Sequence, residues 1–330
     1  MIRTSKKAAA LVALAAAGAL VAGVTATAAR AADKITIAFV MGAESDPFFQ
    51  AMKVGAEAQA KASGVTLIWQ GDPSVYSPAT QIPIADQVLA QNPSGLVLIP
   101  TDPVALQNTV TKAKTAGIPV VNVDTHVNDL TDVVSFITGD NADGGAKAAD
   151  AMAKAIGYKK GGSYQVAVGL TSATATTNVA RLEGFSKAIA KKYPGIKIVD
   201  KAYSSSQPSV ANTNVNNWLT KFPKLNGIFA IDGTNADGAS AAIQAKGLKG
   251  KVALVGYDAY AKNVKLIKSG VITALVAQDP AAEAKLAIKT LVEYIKTGKT
   301  ATAKNVVIPN FVISASTSAA DVAKYTYVQK

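Results

Sequence analysis

Short apolar runs recur along the chain, each followed by a longer stretch whose apolar residues fall three or four apart. The runs are ITIAFV from Ile35, VTLIW from Val65, GLVLIP from Gly95, IPVVNV from Ile118 and VVSFIT from Val133. They continue with YQVAVGL from Tyr164, IKIVD from Ile196, NGIFAI from Asn226, KVALVGY from Lys251 and VITALVAQ from Val271. None shows the in/out alternation of a strand with one wet face, so they read as strands of parallel sheets buried on both sides. The stretches between them read as amphipathic helices. Phe49, Met52 and Ala56 share one helical face, and DPVALQNTVTKAKTAG from Asp102 and AAEAKLAIKTLVEYIKTG from Ala281 have the same period. Asp46-Pro47, Asp102-Pro103 and Asp279-Pro280 each place a capping side chain before a proline suited to the first helical turn, while Gly117 and Gly298 mark helix ends.

This is repeated β-α-β winding, and ten strands are too many for one modest sheet. The predicted fold is α/β, with two doubly wound parallel-sheet lobes. A Gly139-Asp140-Asn141 cluster after the fifth run marks the division. No long linker separates the halves, which favours a tight, multi-stranded hinge.

The first residues depart from this pattern. Arg3, Lys6 and Lys7 precede an apolar, alanine-rich run from Ala8 to Val24, and Ala29-Arg30-Ala31 forms a small-x-small triplet before Asp33. Residues 1–31 are expected to be a cleaved signal peptide; the run is short and alanine-rich for a membrane anchor. The remainder is long enough for two cores. The formal charge of +12 includes four cations of this leader, leaving about +8, spread without an arginine-rich block. That is a solvated basic surface and gives no reason to expect nucleic-acid binding. Cysteine is absent, which excludes disulfides, a thiolate nucleophile and a cysteine-borne lipid anchor. The chain is therefore expected to diffuse freely in a periplasm.

In open α/β sheets, ligands bind beyond the carboxyl ends of the strands. Applied here, that rule selects Asp46, Phe48 and Phe49 after the first run, Trp69 and Gln70 after the second, and Asp124, Thr125 and His126 after the fourth. It also selects Asp232, Asp258 and Gln278 at the ends of three later runs, with Arg181 in the helical stretch TTNVARLEGF. Each has an alternative: Asp46 as a helix cap, Asp232 as a turn residue, the phenylalanines as core, His126 as an exposed loop residue. Together they suit an uncharged polyhydroxylated ligand. Carboxylates accept from neighbouring hydroxyls, a guanidinium donates a planar fork, and aromatic rings cover C–H faces. An organic cation is the weaker alternative.

Little in the sequence points to catalysis. His126 is the only histidine, so no histidine-rich metal site is available, and no metal or cofactor is expected. There is no G-x-S-x-G elbow, and the stretch after the first strand reads MGAESDPFF where a dinucleotide site needs G-x-G-x-x-G. Paired aspartates acting on a glycoside remain an alternative.

The order of ITIAFVMGAESDPFFQAMKVGAEAQA, GLVLIPTDPVAL, IPVVNVDTHV, ARLEGF, IFAIDGTNADGA, LVGYDAY and ALVAQDP resembles the periplasmic sugar-binding proteins of the ribose/galactose/xylose type, over the whole chain after the leader. The resemblance implies the type I periplasmic-binding-protein fold, with an N-terminal lobe of 32–140 completed by about 279–309. The C-terminal lobe is 141–278, completed by about 310–330. It implies contacts to a neutral sugar or sugar alcohol from Asp46, Phe48, Phe49, Asp124, Thr125, Arg181, Asp232, Asp258 and Gln278. The ribose-type pattern has arginine where this chain has Thr125, asparagine at Asp46 and Asp232, and an aromatic where this chain reads YSSSQPSV. The site is thus more acidic than the ribose pattern, leaving pentoses, hexoses, tetritols and pentitols open. The segment WQGDPSVYSPATQ, with Trp69, and the tail from Val306 are longer than their ribose-type equivalents. The implied role is the solute-binding part of an ABC importer, a monomer that closes on its ligand and is read by an inner-membrane permease and, as a further candidate, a chemoreceptor. The rival functions are an exported sugar-processing enzyme and a ligand sensor acting through a receptor.

Overall fold

The computed structural model describes residues 34–328; the expected signal peptide lies outside them. The first half reads β1 (Thr36–Ala43), α1 (Pro47–Ser63), β2 (Thr66–Asp72), α2 (Pro78–Leu89), β3 (Gly95–Leu98), α3 (Gln107–Thr115), β4 (Val120–Val123) and β5 (Val133–Gly139). It continues with α4 (Asn141–Ala155), β6 (Tyr164–Leu170), α5 (Thr176–Lys192), β7 (Ile196–Tyr203), α6 (Pro208–Lys221), β8 (Leu225–Ala230), α7 (Gly233–Ala245), β9 (Ala253–Tyr257), α8 (Ala261–Lys268) and β10 (Ala274–Ala277). The last elements are α9 (Pro280–Thr297), β11 (Asn305–Ile308), β12 (Phe311–Ser314) and α10 (Ala319–Tyr325).

Two six-stranded sheets result, each with a helix-covered core. The first has the order β11-β5-β4-β3-β1-β2 and is parallel throughout. The second has the order β12-β10-β9-β8-β6-β7 and is parallel except for β12, which runs antiparallel along β10 at the edge. The central strands β3, β4 and β10 are buried at every residue, as expected of apolar runs covered by helices on both faces. Each of the ten apolar runs forms a strand. The strands β11 and β12 were not foreseen; the Pro309-Asn310 step breaks the tail's apolar pattern into two four-residue pieces too short to show a period.

The chain passes between the sheets at three places: from β5 into α4, from β10 into α9, and from β11 into β12. Asn310 ties two of these passages together. Its Nδ2 donates to the Asp140 carbonyl and to the Tyr257 hydroxyl, both at 2.7 Å, and Lys147 Nζ donates to its carbonyl at 2.9 Å.

Of the three Asp-Pro steps expected to open helices, two do so. Asp46 and Asp279 accept from the backbone of Phe48 and Ala282, and proline follows each. Gly298 ends α9 in the left-handed conformation, with φ of 70°. Asp102-Pro103, expected to open a helix, does not. Asp102 Oδ1 accepts from Val104 N (2.9 Å) and Ala105 N (2.8 Å), closing a local turn, and α3 starts only at Gln107.

Candidate functional site

A cavity with about 390 Å³ of atom-free space, part of it open to solvent, lies where the carboxyl ends of the two sheets face each other. One lobe contributes Asp46, Phe48 and Phe49 from the β1–α1 junction, Tyr76 from the β2–α2 loop and Asp124 after β4. The other contributes Thr171, Arg181, Ser206, Asp232, Asp258, Tyr260 and Gln278, with Thr177 and Asn178 on α5.

Asp124 and Asp258 occupy corresponding places in the two lobes. Each follows a strand with left-handed backbone, φ 59° and 64°, a conformation aspartate tolerates better than most residues. Each amide donates at 2.8 Å to the neighbouring strand, Asp124 to Ile137 O and Asp258 to Val276 O. The turn aims both carboxylates into the cleft. Asp258 Oδ1 accepts from Gln278 Nε2 (2.8 Å) and the Tyr327 hydroxyl (3.0 Å), and its Oδ2 accepts from Gly233 N (3.1 Å). Asp124 Oδ1 is buried without a hydrogen-bond partner, and so is Gln278 Oε1.

Arg181 is nearly fully buried and held on three sides. Its Nε donates to Asn141 Oδ1 at 2.7 Å and its Nη1 to Ile231 O at 3.1 Å, while the guanidinium lies 3.8 Å from the Tyr257 ring centroid. Asp46 Oδ1 accepts from Phe48 N (2.9 Å) and from the Tyr260 hydroxyl of the opposite lobe. Asp232 is a helix cap as well as a lining residue. Its Oδ1 accepts from Asn235 N and Thr234 Oγ1 (both 2.8 Å), and its Oδ2 from Thr171 Oγ1 (2.6 Å) and Asn235 Nδ2 (2.8 Å). Phe48 and Phe49 pack edge to face at 5.4 Å.

Burial in the cleft keeps water from these carboxyls, and desolvation disfavours their charged form. Burial, the largest cause, pushes Asp46 up to about 7 against the hydrogen bonds it accepts, and pushes Asp124 up to about 7 against the pull of Arg181. Asp258 is raised as well, by burial first, with Arg181 opposing.

Of the residues singled out in the sequence, Asp46, Phe48, Phe49, Asp124, Arg181, Asp232, Asp258 and Gln278 line the cavity. Thr125 does not: its hydroxyl donates to Pro100 O at 2.7 Å and stands behind the lining residue Tyr76. Trp69 also lies outside, packed on Phe39 with ring centroids 4.6 Å apart. The His126 ring sits edge-on to Phe136 at 4.7 Å, with Nδ1 2.7 Å from Val127 O, and it too is outside the lining. Sequence reasoning missed Tyr76, Thr171, Thr177, Asn178, Ser206 and Tyr260 as lining residues. Five of them lay inside noted segments: Tyr76 in the elaborated WQGDPSVYSPATQ, Thr177 and Asn178 in TTNVARLEGF, Ser206 in YSSSQPSV, and Tyr260 in LVGYDAY two residues after Asp258. Among the described residues, no group of three or more His, Cys, Asp or Glu is arranged to hold a metal ion, and no helix is long and apolar enough to cross a membrane.

The profile of a periplasmic binding protein domain matches residues 37–300. The chain belongs to the periplasmic binding protein family. It is 30% identical over 269 residues to the D-allose-binding periplasmic protein of Escherichia coli, covering 79% of this chain and 85% of that protein. It is 33% identical over 257 residues to the ribose import binding protein RbsB of Salmonella typhimurium, covering 76% and 82%. Among solved structures, an ABC transporter solute-binding protein from Agrobacterium vitis with bound alpha-D-tagatopyranose superposes with a TM-score of 0.84 at 29% identity. That match covers 90% of this chain and all of that one. These members of the family are solute-binding transport proteins, and the two-lobed fold is shared with them.

Proposed function

We propose that this protein is the solute-binding component of an ABC importer, taking a neutral monosaccharide or sugar alcohol into the interlobe cleft and releasing it unchanged to an inner-membrane permease. One observation carries the reading: acidic and amide side chains from both lobes converge with one fixed arginine and a phenylalanine pair on a single small cavity. Carboxylates in that setting accept hydrogen bonds from hydroxyls, and the ring pair covers an apolar C–H face. The names of the relatives, which bind allose and ribose, and of the tagatose-bound structure support the same class.

The lobes are proposed to be 32–140 with about 279–309, and 141–278 with about 310–330, hinged at the three passages. Ligand binds between them, and the closed form gains affinity because it alone satisfies both sets of hydrogen bonds. The protein is proposed to act as a freely diffusing periplasmic monomer. A chemoreceptor is a second candidate reader of the closed form.

The deciding experiment is a thermal-shift screen of pentoses, hexoses and sugar alcohols, followed by titration calorimetry and recovery of the bound compound. A ligand that raises the melting point, binds in one-to-one ratio and is recovered intact supports the proposal. Failure of every compound to bind overturns it, and conversion to a product identifies an enzyme instead.

A further inference from the structure

Tyr327, just beyond α10, is 5% exposed and does not line the cavity, yet it holds two residues that do. Its hydroxyl donates to Asp258 Oδ1 at 3.0 Å and accepts from Gln278 N at 3.1 Å. A hydroxyl has a single proton, and the Gln278 amide brings its own, so the tyrosine proton goes to the aspartate. Burial, the largest cause, holds the Tyr327 pKa well above that of ordinary tyrosine, which keeps the proton in place.

Asp258 depends on such partners. Its backbone is left-handed, with φ of 64°, and its carboxylate is buried. Oδ1 is held by Gln278 Nε2 at 2.8 Å and by Tyr327, and Oδ2 by Gly233 N at 3.1 Å. Tyr327 bears on both donors to Oδ1. It is one of them, and it anchors the backbone of the other.

The segment that delivers Tyr327 has few other anchors. The helix α10 is seven residues long and buries none of them, and a helix so short does not stand alone. Tyr325 stacks on Phe311 of β12 with centroids 4.3 Å apart, and Tyr327 N donates to Ala259 O at 2.9 Å. The Tyr327 ring then inserts between Phe48 of one lobe, at 6.1 Å, and Tyr260 of the other, at 6.0 Å. The deepest anchor of the tail is therefore at the back of the site itself.

We infer that Tyr327 is a positioning residue of the solute site, and that the α10 tail acts through its hydroxyl to hold Asp258 and Gln278 in the geometry that binds solute. This rests on the proposed function and deepens it, since Tyr327 acts on the site without lining it.

The test uses Tyr327→Phe in the mature chain, which keeps the ring packing and removes only the hydroxyl. In the absence of solute the Gln278 amide loses its acceptor, so its hydrogen exchange is expected to speed up by about tenfold or more, with amides of β3 unchanged. Calorimetry is run with D-allose, D-ribose and D-tagatose. Whichever of these binds wild type is expected to bind the variant about tenfold more weakly. In an Asp258→Ala background the same change is expected to cost less than about twofold, because no carboxylate is left for the hydroxyl to hold. Unchanged exchange at Gln278 overturns the inference. Undiminished affinity of Tyr327→Phe also overturns it and leaves the solute-binding reading standing. An equal loss with and without Asp258 shows that the tyrosine serves only the fold, which overturns the positioning role. A wild-type chain that binds none of the three sugars overturns the inference as well, and the wider screen described above then decides the proposed function separately.

Discussion

Arg181 and Asp124 face each other across the cleft with Nη2 3.9 Å from Oδ1, too far for a hydrogen bond. The arginine cannot close the gap because Nε, Nη1 and the guanidinium face are already held by Asn141, Ile231 and Tyr257. A ligand hydroxyl can accept from Nη2 while donating to the carboxylate, so each lobe's charged group needs the ligand to complete its bonding. Arg181→Ala is therefore expected to weaken ligand binding by about tenfold to a hundredfold or more, with native circular dichroism. Arg181→Lys should recover little of that loss, since an ammonium cannot reproduce the planar fork. Undiminished affinity of the alanine variant in calorimetry would remove Arg181 from the site.

The proposed closure is expected to be sensitive to pH through Asp46 and Asp124. Buried as they are in this structure, both stand at about 7, burial being the main cause. In an open, hydrated cleft they return to the ordinary carboxylate value near 4. Between those values the closed form binds more protons than the open one, so closure without ligand is favoured by acid and weakens as pH rises to about 7. The radius of gyration of the ligand-free protein, from small-angle scattering, should increase between about pH 5 and pH 8. A radius that stays constant over that interval would show that these carboxyls do not couple to closure.

The sequence made some of this legible for a physical reason. Strands buried on both faces must be apolar throughout, so ten of them stand out, and the rule that sites lie at strand ends then leads to residues such as Asp124, Asp258 and Gln278. That rule finds positions but not side-chain directions. Thr125 follows Asp124 directly, yet its hydroxyl is taken by Pro100. Asp102 looks like a helix cap but is satisfied within its own turn. Tyr76 reaches the cavity only because the β2–α2 loop folds back over Gly42, a long-range relation that no local period records. The edge strands β11 and β12 owe their conformation to β5 and β10, which lie far away in sequence.

The position of Arg181 also depends on how closely α4 and α5 cross. A methyl group at Gly184 would lie 2.0 Å from the Ala142 carbonyl oxygen. Gly184→Ala must push the helices apart, and overpacking of this kind is expected to cost about 1–3 kcal/mol in urea unfolding. Arg181 lies on the same helix three residues earlier, so ligand affinity should fall along with stability. An unchanged unfolding midpoint would mean that the helices yield without cost.

Glu283 is the most out-of-place ionisable group among the described residues. It lies on α9, fully buried, and neither carboxyl oxygen has a hydrogen-bond partner. Burial holds its pKa well above the ordinary range, the nearby Asp124 adds to the shift, and Arg181 opposes it. Above the ordinary glutamate pKa the folded chain therefore retains a proton that the unfolded chain releases, so the folded state loses stability as pH rises. Glu283→Leu removes both the unpaired oxygens and this proton linkage. It should be more stable than wild type by about 1–3 kcal/mol at pH 8, with a smaller advantage at pH 5. Glu283→Gln keeps the volume and removes only the ionisation, so its advantage should show the same pH trend. Denaturant titrations of the three proteins at both pH values measure the effect. If wild type is the most stable at pH 8, the glutamate makes an interaction that offsets its burial, and the assignment of a destabilising buried acid is wrong.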